Sequence, residues 1–313
     1  MKLLCGHKLA GSSKKDDGQD FFTFKKTENA IIAAVADGVG SEKHSAFGSK
    51  VVCTTAVDFC VENLKPNMDD NAILSIIYNS FDHAWQCIEK QAKEENLDVY
   101  QCNTTLALAV YMDGNVFYGN IGDSGIFAFL EDGKIEPITN QHNDKEGRVY
   151  TLSFGPKMWE FDKVSKKAVS LLLCTDGVWG MFFPERLSDE EEKHSVSLLA
   201  WYIDPEAIKA HNNGDGLQKW LESDMADTNS KNPAMVNYDD ITMVIVHDGN
   251  VNYKRQPEPY YAPPTEEELE KAKKAEHERL YGHLNKSETN SKGNANVGTQ
   301  EGTNDENKSG KAD

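Results

Sequence analysis

Apolar residues are grouped along this chain with two different periods, and each period marks a kind of element. Ala30–Ala36 is apolar at every position and stops at Asp37-Gly38, which predicts a strand buried on both faces. From Ser45 to Leu64 the apolar positions are Phe47, Val51, Val52, Ala56, Phe59, Cys60 and Leu64, a helical spacing. A second helix is predicted after Asp69 and Asp70, which can cap it, with the stripe Ile73, Ile76, Ile77, Phe81, Ala84, Trp85 and Ile88.

Strand signals then return in hairpin order. Thr104–Tyr111 and Asn115–Asn120 flank the turn Met112-Asp113-Gly114, and Ile126–Leu130 and Ile135–Ile138 flank Glu131-Asp132-Gly133-Lys134. Ala168–Cys174 and Ile241–His247 are further apolar strands, with helices predicted near 194–203 and 214–222. Antiparallel hairpins with helices inserted between groups predict an α+β layered domain. A doubly wound nucleotide fold is excluded, because strand and helix do not alternate and neither GxGxxG nor GxxxxGK(S/T) occurs.

The pattern stops after about Val251, so the folded domain is placed at residues 1–253 and the remainder at 254–313. Residues 256–264 carry four prolines, which exclude helix and central strand and read as a linker. Thr265-Glu266-Glu267-Glu268 is a capping-box start. It leads into a solvated helix whose few apolar positions are mainly Leu269, Leu280 and Leu284. Lys286–Asp313 has almost nothing to bury and is expected to be disordered.

Composition narrows the function classes. Of 313 residues 39% are hydrophobic, yet no apolar run approaches the ~18 residues of a membrane helix. Met1–Gly6 lacks the apolar stretch of a signal peptide, and without it Cys5 is not read as a lipid anchor. The formal net charge is −18, so no cationic footprint for nucleic acid is visible. Residues 262–313 hold 11 acids and 8 bases, which leaves the acidity with the folded part. The cysteines at 5, 53, 60, 87, 102 and 174 show no CxxC spacing and sit mostly among apolar neighbours. They are expected to be reduced core thiols of a cytoplasmic protein.

Candidate chemistry lies in acidic residues at the ends of apolar strands: Asp20, Asp37, Asp123, Asp176 and Asp239. Carboxylates on rigid strand ends can converge on one point, and an oxygen-rich site suits Mg²⁺ or Mn²⁺. Asp-Gly is also a common turn dipeptide, and Asp113-Gly114 and Asp132-Gly133 are assigned to hairpin turns.

Six short elements in order resemble the type 2C family of metal-dependent protein serine/threonine phosphatases, in its compact bacterial form. They are Gln19-Asp20, Val35-Ala36-Asp37-Gly38-Val39-Gly40, Asn103-Thr104-Thr105 and Asn120-Ile121-Gly122-Asp123-Ser124, followed by Leu173–Trp179 and Asp239-Asp240-Ile241-Thr242. The resemblance spans about residues 19–248 and implies a four-layer α-β-β-α sandwich, two central antiparallel sheets flanked by helices. It implies hydrolysis of phosphoserine and phosphothreonine in proteins by a water bridging two divalent ions, with a Ser/Thr kinase as the opposing partner.

The same resemblance assigns roles by position. Asp37 bridges two metals, with the Gly38 carbonyl on the second. Asp176 and Asp239 complete the first metal, Asp20 contacts the second directly or through its waters, and Asp123 holds a third, looser ion. Asp37 and Asp20 are the catalytic pair. Asp240 stands where many members have Asn and takes a supporting place behind the ligands. Lys15 occupies the position of a phosphate-binding Arg, offering the charge without the bidentate fork; the alternative is a solvated pair with Lys14. Val39 stands where larger relatives place a His, which leaves the leaving group's proton donor open, with His44 and His142 the nearby histidines. Residues 140–167 fill the place of a surface flap and read as loop. Two alternatives stay open: a catalytically silent phosphoprotein-binding regulator of the same fold, and a small-molecule phosphomonoesterase.

Overall fold

The structure, a computed structural model, describes residues 2–11, 18–178, 189–214, 216–231, 239–268, 270, 271 and 274. Ten strands are found among them: β1 (Lys2–Leu9), β2 (Phe21–Lys26), β3 (Ile31–Ala36), β4 (Leu106–Met112), β5 (Asn115–Ile121), β6 (Gly125–Leu130), β7 (Ile135–Pro137), β8 (Glu160–Lys163), β9 (Ala168–Cys174) and β10 (Ile241–Asp248). They form two five-stranded sheets, β1-β10-β9-β6-β7 and β2-β3-β4-β5-β8. Every pairing is antiparallel. The helices are α1 (Ser45–Asn63), α2 (Asp70–Glu94), α3 (Asp189–Ile203), α4 (Pro205–His211), α5 (Leu217–Lys231) and the short α6 (Glu258–Tyr261).

Alternation along the strands builds the layers. On β3, Ile31, Ala33 and Val35 face the other sheet and meet Ile126, Ala128, Leu171, Leu173, Val244 and Val246. The intervening Ile32, Ala34 and Ala36 face α1 and α2, packing with Val52, Ala56, Ile77 and Phe81. On the far side of the first sheet, Phe129, Leu172 and Ile245 pack with Leu199, Ile208 and Leu221 of α3–α5. The result is the four-layer α-β-β-α sandwich. β3 had to be apolar throughout because both its faces are covered.

Local chemistry sets the boundaries. Asp69 caps α2 by accepting from the Ala72 N–H at 2.8 Å. Asp113 and Gly114 both take positive φ, 49° and 87°, as a two-residue hairpin turn between β4 and β5 requires. β5 and β6 belong to different sheets, so 122–124 carries the chain from one sheet to the other. At that crossing Gly122 has φ 100°, and a Cβ there would lie 2.4 Å from the Thr105 side chain.

Several elements differ from the sequence expectation. β1 and β2 are only half-buried and too weakly patterned to stand out. β8 lies within the segment expected as loop; it pairs with the end of β5 at the sheet edge and needs just one apolar residue, Phe161. α4 starts at Pro205, where Asp204 caps it by accepting from the Glu206 N–H.

The Pro-rich segment expected as a linker packs on the folded unit instead. The Lys254 N–H donates to the Glu131 carbonyl, Arg255 pairs with Asp204 at 2.6 Å, and the buried Tyr261 donates its hydroxyl to the Gly133 carbonyl. The prolines were expected to exclude helix as well, yet the one-turn α6 starts after Pro257 with Pro259 in its first turn, where no N–H is needed. Proline prevents a ladder there but neither a helix start nor side-chain burial. The chain divides into two compact units, Met1–Pro264 and Thr265–Asp313. In the second, Thr265 and Glu268 form the reciprocal capping box, with the Thr265 N–H donating to Glu268 and the Glu268 N–H to the Thr265 hydroxyl. All six cysteines are free and five are buried. Among the described residues no helix is long and apolar enough to cross a membrane. Lys14, Lys15, Trp179 and Lys286–Asp313 lie outside the described residues.

Candidate metal centre

Antiparallel pairing brings the acidic strand ends to one edge of the sandwich. Asp20 precedes β2, whose Phe21 pairs with Ala36 at the end of β3, next to Asp37. Asp239 and Asp240 precede β10, whose Met243 pairs with Cys174 at the end of β9, two residues before Asp176. Gly125, two residues after Asp123, pairs with the same Cys174. Three separate ladders therefore end at a common place.

The carboxylates of Asp37, Asp123 and Asp176 converge most closely, each offering an oxygen within 4.8 Å of the others. Asp20 is buried beside them; its Oδ2 accepts from the hydroxyls of Thr175 at 2.6 Å and Thr242 at 2.7 Å. Its Oδ1 is buried without a partner among the described residues, as are Oδ1 of Asp123 and Oδ1 of Asp176. Asp239 lies outside the close trio, but its charge acts on Asp37, Asp123 and Asp176.

Like charges in a buried place hold protons tightly. Burial pushes Asp20 up to about 6 and Asp123 up to about 6. Burial, then the charges of Asp239 and Asp123, push Asp176 up to about 8. Asp37 is raised well above the usual carboxylate range by burial and by Asp20, Asp176 and Asp239. Buried carboxylate oxygens without donors, set among other carboxylates, are the arrangement a divalent cation relieves. An all-oxygen donor set fits Mg²⁺ or Mn²⁺.

Asp37 is held by its backbone, while its carboxyl meets that of Asp20. Its N–H donates to Thr105 Oγ1 at 2.8 Å, and its carbonyl accepts from Thr104 Oγ1 at 2.7 Å and the Thr105 N–H at 2.9 Å. Gly38 bridges to Thr104, and a Cβ there would lie 2.7 Å from the Ser45 backbone at the start of α1.

Asp240 is turned toward the chain. Its carboxylate accepts from the backbone N–H groups of Gly11 at 2.8 Å, Asp20 at 3.2 Å and Gln19. It fastens the segment carrying Asp20 to the start of β10. Asp240→Ala leaves these N–H groups without their acceptor and is expected to destabilise the protein by about 2–4 kcal/mol. Asp240→Asn, which keeps one acceptor oxygen, is expected to lose less. Urea unfolding of the two variants checks the order, and an unchanged midpoint for the alanine variant would refute it.

Sequence reasoning singled out neither Thr175 nor Thr242 as site residues, although each lies within two residues of a flagged aspartate. The missing signal was three-dimensional: both hydroxyls converge on one oxygen of a residue more than 150 positions earlier. Lys8 was also missed; its ammonium donates to the Asp20 carbonyl at 2.9 Å. His44 heads α1 with its N–H on the Gln101 carbonyl. The His142 N–H donates to the Gly122 carbonyl, and its ring Nε2 lies 3.3 Å from Glu160.

A family model described as protein phosphatase 2C matches residues 10–222. The chain belongs to the protein phosphatase 2C family. Solved structures with a similar fold include a bacterial serine phosphatase, at 15% identity and TM-score 0.53 over 81% of this chain and 99% of that one. Serine/threonine phosphatase Stp1 from Staphylococcus aureus is 15% identical at TM-score 0.54 over 79% of this chain and 95% of its own. The catalytic domain of serine threonine protein phosphatase PstP, solved with two manganese ions, is 18% identical at TM-score 0.51, covering 79% of this chain and 97% of that one. No curated protein sequence matches the chain. At these identities the likeness concerns the fold of this protein phosphatase 2C member.

Proposed function

We propose that this protein is a divalent-metal-dependent phosphatase acting on phosphoserine and phosphothreonine in proteins. The observation that carries the reading is the convergence of Asp37, Asp123 and Asp176 within 4.8 Å, in a chain of this family. Asp37, the Gly38 carbonyl, Asp176, Asp239 and Asp20 would hold two Mn²⁺ or Mg²⁺ ions, and Asp123 a third, looser one. Bound there, the ions supply Lewis acidity and offset the charge of the phosphate monoester.

The chain's own residues prepare the site. Thr175 and Thr242 occupy one oxygen of Asp20 and leave the other buried without a donor. Thr104 and Thr105 fix the Asp37 backbone, and Asp240 fixes that of Gln19 and Asp20. Lys15 is assigned to the substrate phosphate as a point charge. Four of the cysteines offer no competing nucleophile: burial pushes Cys5 and Cys60 up to about 12, and Cys53 and Cys174 well above the ordinary thiol value. A phosphorylated cytoplasmic protein is the proposed substrate and a Ser/Thr kinase the opposing activity, with Thr265–Asp313 dispensable for turnover.

Phosphate release from a phosphothreonine peptide, with Mn²⁺, with Mg²⁺ and with EDTA, tests the reading. Turnover with metal that is lost in EDTA is the expected result. No turnover with either metal, in protein shown to be folded, would replace it with the silent phosphoprotein-binding regulator.

A further inference from the structure

Four large apolar side chains are exposed among the described residues: Tyr78 at 40%, Tyr100 at 70%, Phe154 at 58% and Trp201 at 48%. Two have their own packing. The Tyr78 ring rests against Trp159 and Phe161, at 5.9 and 5.5 Å. Trp201 packs on His211 and Trp220 and donates its indole N–H to Asp224. Phe154 meets one ring, that of Tyr150 at 5.1 Å, and the Tyr100 ring and hydroxyl have no partner among the described residues.

These two stand 54 positions apart, yet Asn103 ties the segments that carry them to each other and to the chain just after Asp37, at the rim of the cluster. Its side-chain amide donates to the Tyr100 carbonyl at 3.0 Å, and its side-chain oxygen accepts from the Thr151 hydroxyl at 3.4 Å. Its backbone carbonyl accepts from the Val39 N–H at 3.1 Å, two residues after Asp37, and the Leu152 N–H donates to the Thr104 carbonyl at 3.0 Å. Each ring sits on a 3₁₀ turn that is held rigidly. Asp98 accepts from the Tyr100 N–H, and the Cys102 N–H donates to the Val99 carbonyl. Beneath Phe154, the Leu152 carbonyl accepts from the Gly155 N–H and the Trp159 indole. The exposure is therefore fixed by the backbone and does not come from a frayed loop.

We propose that Tyr100 and Phe154 form an apolar lip that receives an aliphatic or aromatic residue flanking the phosphorylated position of the substrate polypeptide. The proposal rests on the phosphatase reading and adds the sequence preference of the same site. A phosphorylated side chain reaching the carboxylate cluster brings its own main chain across the rim. An extended chain advances about 3.3 Å per residue, so neighbours two or three positions away lie about 7–10 Å along it. Rings already ordered and exposed there gain contact without further ordering of the enzyme.

The test uses the full chain with Mn²⁺, as wild type and as the Tyr100→Ser/Phe154→Ser double variant. Substrates are 4-nitrophenyl phosphate, which has no flanking residues, and phosphothreonine peptides that carry Leu or Ser at each position from three before to three after the phosphosite. The wild type is expected to favour Leu over Ser by about tenfold in kcat/KM at one or more positions. The double variant is expected to lose that preference, through KM, while its rate on 4-nitrophenyl phosphate stays within about twofold. Wild-type turnover without a flank preference, or a preference that survives the double substitution, would overturn the lip alone. Absence of metal-dependent turnover of 4-nitrophenyl phosphate by the wild type would overturn the phosphatase reading and the lip with it.

Discussion

Replacing Asp37 with asparagine is expected to lower metal-dependent phosphatase activity by at least about a hundredfold while the protein stays folded. Loss of groups that merely support a metal ligand costs about 10–100-fold, so loss of the carboxylate proposed to bridge the two ions costs no less. The fold should survive because Thr104 and Thr105 hold Asp37 through its backbone, which asparagine keeps. The substitution also removes a buried carboxyl that the metal-free fold can keep only by holding it protonated among the other carboxylates, a cost the unfolded chain does not carry. The metal-free variant should accordingly melt at a higher temperature than metal-free wild type, while its Mn²⁺-induced rise in Tm shrinks. A peptide assay and a thermal melt on the same sample measure both. Full activity in this variant would falsify the assignment of Asp37 to the metals.

The second large effect is a metal-dependent stability that changes with pH. The folded-state carboxyls of Asp20 and Asp123 lie at about 6 and Asp176 at about 8, against 3.8 when unperturbed. Their folded values are raised, so between those limits the metal-free folded state binds more protons than the unfolded chain. The favourable contribution is complete below pH 3.8 and is lost as pH rises through about 6 and then about 8. In EDTA, the cluster therefore destabilises the protein progressively from pH 5 to 8. Divalent ions compete with those protons, so their effect runs the opposite way. At one fixed concentration, about a hundred times its Kd at pH 8, Mn²⁺ is expected to raise Tm by about 5–10 °C at pH 8 and by little at pH 5, where protons weaken its binding. A rise of equal size at both values, or none at pH 8, would remove the carboxylate cluster as the binding site.

Strongly patterned elements could be read directly. The apolar run before Asp37 is β3, the two helical stripes are α1 and α2, and both Asp-Gly hairpin turns lie where expected. What escaped was structure whose burial is partial. β1 and β2 keep much of their surface half-exposed, and β8 needs one buried ring, so none carries a clean alternation. The Pro-rich segment misled for another reason. Proline reports on backbone geometry, whereas the packing of Tyr261 and Arg255 against the folded unit is a side-chain matter.

Periodicity and short ordered motifs are local properties, so the layered α+β class, the family and the aspartates at strand ends were legible in the chain. Tertiary structure decided which of those aspartates meet. Asp37, Asp123 and Asp176 come within 4.8 Å because three antiparallel ladders end at one edge, while Asp240 turns away to accept backbone N–H groups. It also decided that Asn103 ties the segments carrying Tyr100 and Phe154 together. Register and sheet order are set by packing across tens to hundreds of residues, and no local pattern encodes them.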